Sequence, residues 1–175
     1  MFRRARSLLL LLVLAFAVPT VGSQEGAPNS TDKALAPFSV FVGDWDCAGV
    51  FANSGKAIEA HLSFKYDLDG RWILFRHDDK PPFSYHALSE WGWDAARMEF
   101  VMLVEDSTGG LRSFRSTGLR EKKITWDGDA LQSAKPDQRF IFEAIDSSHF
   151  RVSYFRQPDG NWRLVDSSTC STSVR

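Results

Sequence analysis

The stretch Gly43-Asp44-Trp45-Asp46-Cys47-Ala48-Gly49 opens the regular part of the chain, and it has the make-up of a first strand at the closing end of a small barrel. Glycine lets one backbone pass close to a neighbouring strand, and a tryptophan beside it can cap an apolar interior with a single large side chain. The competing account is an ordinary core tryptophan in a strand. Cys47 adds a long-range constraint, because the only other cysteine, Cys170, falls in the last strand of the pattern.

Downstream of Phe38 the sequence alternates apolar and polar residues with period two, and polar turn clusters recur throughout. This predicts a run of antiparallel strands near 39–51, 57–68, 71–79, 84–94, 97–106, 111–121, 123–127, 138–146, 149–157 and 161–171. Asn53-Ser54-Gly55, Asp67-Leu68-Asp69-Gly70, Thr108-Gly109-Gly110 and Pro158-Asp159-Gly160-Asn161 each supply a glycine where a hairpin needs positive φ. A short helix around Lys33 to Pro37 is the one helical segment the pattern allows, so parallel βαβ folds are excluded. The alternation places Ile58, Ala60, Leu62, Phe64 and Tyr66 on one face, with Met98, Phe100, Met102 and Val104, then Phe140, Phe142 and Ala144, then Phe150, Val152 and Tyr154. These are expected to point inward.

The N-terminus reads as a secretory signal peptide: a basic head with Arg3, Arg4 and Arg6, an apolar run from Leu8 to Val18, and small residues at Val21 and Ser23. Cleavage is expected after Ser23, the apolar run being too short to span a membrane. The expected division is a signal peptide at 1–23, a flexible segment at 24–37 and one barrel domain at 38–175. The product would be exported, periplasmic or secreted, with no membrane span after signal removal. Loss of three arginines leaves 18 basic against 22 acidic residues, which argues against a nucleic-acid surface.

Export places both thiols where oxidation is maintained, and two cysteines allow one intramolecular pairing, so a Cys47–Cys170 disulfide is expected. An aromatic-rich run of ten strands could form a barrel or a two-sheet sandwich. Short links and a bond from the first strand to the last favour closure, and the two Cα atoms should then lie about 4.4 to 6.8 Å apart.

Gly43-x-Trp45-x-x-x-Gly49, Leu68-Asp69-Gly70-Arg71-Trp72-Ile73, Glu90-Trp91-Gly92-Trp93-Asp94 and Ile124-Thr125-Trp126-Asp127-Gly128 together resemble a family of bacterial calycin-like barrels of unknown function. The resemblance covers roughly residues 36 to 172. It implies an all-β, up-and-down barrel of about ten antiparallel strands, related to lipocalins and fatty-acid-binding proteins, and brings no assigned reaction. More distantly the chain is similar to the nitrobindins, whose barrel holds haem through a histidine late in the chain. The final strand here, Asn161 to Thr172, contains no histidine, which sets haem behind the other readings.

Little else carries chemistry. His61, His77, His86 and His149 lack the spacing of a metal pair, and no metal or cofactor is expected. His149 follows Asp146-Ser147-Ser148 in a turn. The carboxylate pairs Asp44/Asp46, Asp67/Asp69, Asp78/Asp79 and Asp127/Asp129 are read as turn residues capping their own backbone. No nucleophile elbow, phosphate loop or zinc-protease helix is present, and an enzyme is not the expected reading. The suggestive residues are polar ones on faces read as inward: Arg76 beside Trp72 and Leu74, Ser89 beside Tyr85, Trp91 and Trp93, and Arg115 beside Leu111 and Ser113. Arg76, Arg115, Trp91, Trp93 and Tyr154 are the candidate ligand contacts, the arginines meeting a carboxylate. The alternatives are a face assignment displaced by one residue, or pairing with Glu90, Glu143 or Asp166. Two function classes follow: a carrier or sensor of a small apolar or amphipathic ligand, an anionic one included, and a filled barrel with a structural or partner-binding role at the cell envelope.

Overall fold

A computed structural model describes residues 34–129 and 137–173; the expected signal peptide and most of the 24–37 segment lie outside them. The strands are β1 (Gly43–Phe51), β2 (Ala57–Asp67), β3 (Trp72–Asp79), β4 (His86–Asp94), β5 (Glu99–Asp106), β6 (Leu111–Ser116), β7 (Leu119–Arg120), β8 (Lys123–Gly128), β9 (Gln138–Ala144), β10 (His149–Arg156) and β11 (Arg163–Thr172). All pair antiparallel in one sheet that runs β6-β5-β4-β3-β2-β1-β11-β10-β9-β8-β7 and closes through β6 against β8. The protein is therefore a closed up-and-down barrel with ten strands in its wall.

The count is ten because β6 and β7 are one strand interrupted. The pattern predicts a single strand over 111–121, whereas the backbone breaks at Thr117-Gly118, where Gly118 has φ +103° and a Cβ would stand 2.8 Å from the Phe100 ring. The two pieces then cover successive parts of β8, Phe114 opposite Gly128 and Leu119 opposite Ile124.

The first strand meets the last over seven residue pairs, from Trp45 opposite Thr172 to Phe51 opposite Asp166. Cys47 and Cys170 are direct cross-strand partners in this register and form the expected disulfide. Their Cα atoms are 3.9 Å apart, below the expected range. Gly49 is required two residues on, since a Cβ there would lie 2.1 Å from the Ser167 carbonyl oxygen of β11.

One end of the barrel is filled. A 3-10 helix, Ala36–Phe41, occupies the ground where the pattern predicts the start of β1, with Pro37 in its first turn. Its residues Phe38 and Phe41, spaced i and i+3, are wholly buried, and Leu35 just before it is buried too. Phe41 packs edge-on against Trp91, Phe142 and Phe150, and its carbonyl accepts a 2.8 Å hydrogen bond from the Trp45 indole. The Gly-x-Trp motif thus closes the barrel as expected, by latching the entering helix into its base.

Three inward expectations need correction. Met98 is 71% exposed in the β4–β5 turn with φ +56°. Tyr66 reaches the rim, where its hydroxyl donates to the Leu35 carbonyl. On β3 the inward residues are Ile73 and Phe75, so Trp72, Leu74 and Arg76 take the other face.

Trp45→Ala should lower the unfolding free energy by about 3 to 5 kcal/mol, measured by urea denaturation; a midpoint within error of wild type would remove Trp45 from the closure. Replacing both cysteines by serine opens a loop of 123 residues and should cost about 2 to 5 kcal/mol, read in the same denaturation experiment.

Candidate functional site

Because β-strand side chains alternate, cross-strand partners share a face, and the inward residues fall into two layers. Aromatic side chains fill the layer nearest the 3-10 helix. Trp91 is its hub, 5.1 Å from both Trp126 and Phe142, 5.3 Å from Phe64 and 5.9 Å from Phe75 between ring centroids. The other layer is built from smaller residues and leaves a cavity of about 800 Å³. Ile58, Ala60 and Leu62 of β2, Ala87 of β4, Met102 and Val104 of β5 and Val152 of β10 line its walls, over a base of Phe75 and Phe142. Phe51 and Phe83, in edge contact at 5.3 Å, and the Ser107-Thr108 turn stand round its far end.

Polar groups collect toward that end in two clusters. In the first, Arg112 of β6 lies opposite Val104, which places it on the inner face. Its Nη2 donates to the Tyr85 hydroxyl at 2.7 Å and to Asp106 Oδ2 at 2.9 Å, and Nη1 reaches Gln138 at 3.4 Å. Its Nε is buried without a partner among the described residues. Burial pushes the Asp106 carboxyl up, but hydrogen bonds from the Thr108 hydroxyl, the Gly110 and Thr108 amides and the charge of Arg112 outweigh it and hold the group low. Burial raises Tyr85 and Tyr154, which remain neutral phenols.

In the second cluster, His77 of β3 bonds Asp79 Oδ1 through Nε2 at 2.7 Å, and its ring meets Tyr85 edge-on at 5.6 Å. Asp166 of β11 lies beside them. Its carboxyl is raised to about 6, mainly by burial, with His77 opposing and Asp79 adding to the shift. Asp166 has no hydrogen-bond or ion-pair partner among the described residues, which is unusual for a carboxyl in a protein wall.

Of the candidate ligand contacts, Tyr154 lines the cavity, stacked on Phe140 at 4.7 Å. Trp91 lies beneath it in the aromatic layer, and Trp93 packs against Phe100 at 4.7 Å, away from it. Arg76 and Arg115 are corrected: neither lines the cavity. Arg76 is on the outer face, 51% exposed, and bonds Asp78 through Nε and Nη2. Arg115, 18% exposed, bridges Asp94 at 2.8 Å and Asp129 at 2.9 Å and so clamps the β6–β8 closure from outside. On both strands the inner face lies one residue from the expected one, at Ile73 and Phe75 on β3 and at Arg112 and Phe114 on β6. Arg112, Asp79 and Asp166 are the residues missed. The signal for them was parity: Arg112 shares a face with Phe114, Asp79 with Phe75, and Asp166 with Cys170.

The remaining histidines stand elsewhere. His61 lies between Asp44 and Asp46, His86 bonds Asp78 at 2.7 Å, and His149 sits half-exposed in its turn on Asp146. Among the described residues no His, Cys, Asp and Glu side chains converge in threes as a metal site. The carboxylate pairs are divided between roles: Asp67 caps its turn as expected, whereas Asp46, Asp78, Asp127 and Asp129 form ion pairs with Lys80, Arg76, Arg139 and Arg115. No family model matches the sequence, and no curated protein matches it significantly.

Asp166 has a clear thermodynamic consequence. An acid whose pKa rises on folding binds more protons in the folded state, so its contribution to stability falls as pH rises from about 4, its ordinary range, through about 6. Asp166→Asn should therefore stabilise the ligand-free protein above pH 6, by on the order of 1 kcal/mol after allowing for the wet part of the side chain, and have little effect near pH 4. Thermal melts at the two pH values check it; equal effects at both would place the carboxyl in solvent.

Proposed function

We propose that this barrel is an exported, non-enzymatic carrier or sensor for a small amphipathic molecule. The observation that carries the reading is the cavity: about 800 Å³, within the range of ordinary ligand sites, with apolar walls and a few polar groups near one end. A filled barrel with a purely structural role would have an interior below a few hundred Å³, and the small residues Ala60, Ala87 and Ser168 would be replaced by bulk. The aromatic base and the disulfide favour a rigid container, which binds without first paying to order itself. The disulfide also suits an oxidising compartment, and no helix among the described residues is long and apolar enough to cross a membrane.

Mass spectrometry of small molecules extracted from natively purified protein tests the reading directly, together with titration by a neutral fluorescent naphthylamine. Ala87→Trp puts an indole into the cavity from a buried wall position. It should weaken probe binding by at least about tenfold while leaving the far-ultraviolet dichroism unchanged. Undiminished binding in that variant would move the probe, and the function, outside the barrel.

A further inference from the structure

The carrier reading leaves the ligand's head group open, and the charges inside the barrel bear on it. Among the described residues lining the cavity there are three carboxylates, Asp79, Asp106 and Asp166, and one guanidinium, Arg112. Arg112 and Asp106 are in contact at 2.9 Å and neutralise each other, with Nη2 and Nη1 of Arg112 also directed to Tyr85 and Gln138 and its Nε without a partner among the described residues. The excess negative charge therefore belongs to the wall made by β3 and β11. There His77 holds one oxygen of Asp79, and Asp166 holds nothing.

A second, independent group in the cavity also lacks a partner. Ser89 is 2% exposed, lies between Phe75 and Val104 in the inward register and lines the cavity. Its hydroxyl has no hydrogen-bond partner among the described residues. A buried polar group in that state calls for a ligand or solvent atom.

An organic anion placed here would meet surplus carboxylates in a medium where charge repulsion is poorly screened. A cation would supply the N–H donors that Asp166 and the second oxygen of Asp79 lack, in charge-assisted bonds. Resting on the carrier reading, we propose that the cavity takes an amphipathic organic cation, an amine with an aliphatic or aromatic body. Its ammonium lies between Asp166 and the His77–Asp79 pair, and its body lies against Leu62, Phe75, Met102 and Phe142. This reverses the expectation of a carboxylate ligand, whose arginines stand outside the barrel.

The same geometry makes affinity depend on pH. Asp166 is faced by His77 and Asp79 from β3, by Tyr154 from β10 and by the apolar Phe51 of β1. Burial pushes its carboxyl up to about 6, so the site loses one negative charge just below neutrality. A bound ammonium favours the carboxylate and moves that midpoint lower.

The test is displacement of N-phenyl-1-naphthylamine, a neutral probe, from the full disulfide-bonded protein by three competitors with one tail: dodecylamine, dodecanol and dodecanoate. At about pH 7.5, above the titration of Asp166, dodecylamine should displace the probe at a concentration about tenfold or more below dodecanoate. The advantage of dodecylamine over dodecanol, which does not titrate, should shrink at about pH 5. Asp166→Asn should abolish the preference and its pH dependence while probe affinity stays within about twofold, and Asp79→Asn serves as the second variant should the first not fold. Binding of the probe with dodecanol or dodecanoate competing as well as dodecylamine overturns the cationic ligand and leaves the carrier reading standing. Failure of the probe to bind at all overturns the carrier reading, and this proposal with it.

Discussion

Pairing of the first strand with the last is the constraint from which the rest of the molecule follows. A meander without it is an open sheet with two unpaired edges, a liability for aggregation, and it has no inside. Here β1 and β11 pair from Trp45 to Phe51, and flanking hydrogen bonds from Ala52 N to the Val165 carbonyl and from Ser173 N to the Asp44 carbonyl extend the seam at both ends. The Cys47–Cys170 bond is set into this seam. Gly49 lets the β11 backbone approach where any side chain would collide with it. By contrast the closure on the far side of the barrel is interrupted, two residue pairs between β6 and β8 and two more between β7 and β8, and there the Arg115 bridge to Asp94 and Asp129 acts where the backbone ladder is thin.

Once the wall is closed, side-chain size along the barrel axis decides what the interior can do. Trp45, Trp91, Trp126, Phe38 and Phe41 crowd the helix end, with ring contacts mostly edge-on as aromatic quadrupoles favour. The packing leaves the indole N–H groups of Trp91 and Trp126 without partners among the described residues, at about 1 to 3 kcal/mol each, so apolar burial outweighs polar satisfaction in this layer. Toward the other end the inward positions become Ala60, Ala87, Ser89 and Ser168, and the space they leave is the cavity. One end of the barrel thus supplies rigidity and the other supplies volume.

Much of this was legible in the sequence. Period-two alternation locates nearly every strand, turn glycines locate four of the hairpins, and the cysteine arithmetic identifies the closing pair. Legibility failed where the alternation is ambiguous. In Trp72-Ile73-Leu74-Phe75 both faces are apolar, so the pattern cannot say which is inside; the answer comes from Phe64 lying opposite Phe75. In Leu111-Arg112-Ser113-Phe114 the apolar residues have opposite parity, and the pairing of Phe114 with the inward Met102 decides it. Choosing Leu111 instead of Phe114 exchanged Arg115 for Arg112, and so exchanged a structural clamp for a group of the cavity. The pattern places the short helix at 33–37, whereas it spans Ala36–Phe41, for a related reason, since Phe38 and Phe41 fit an extended strand as readily as a turn that delivers both rings to one side.

Asp166 shows what parity could have revealed and why composition alone could not. A buried disulfide obliges Cys170 to face inward, and counting back by twos puts Ser168 and Asp166 on the same face, so the sequence does contain the carboxyl's orientation. What it does not contain is the company that carboxyl keeps, which depends on β3 delivering His77 and Asp79 to the same end of the barrel. That company gives no compensating bond. Above pH 6 the ionised group opposes folding, and an asparagine or a small apolar residue would fit the register without that penalty. The other carboxylates of the cavity, Asp79 and Asp106, each have a partner. A lone acid that weakens the fold, set in the wall of a preformed apolar cavity, has no account in the packing around it, and the cationic ligand proposed above is what would supply one.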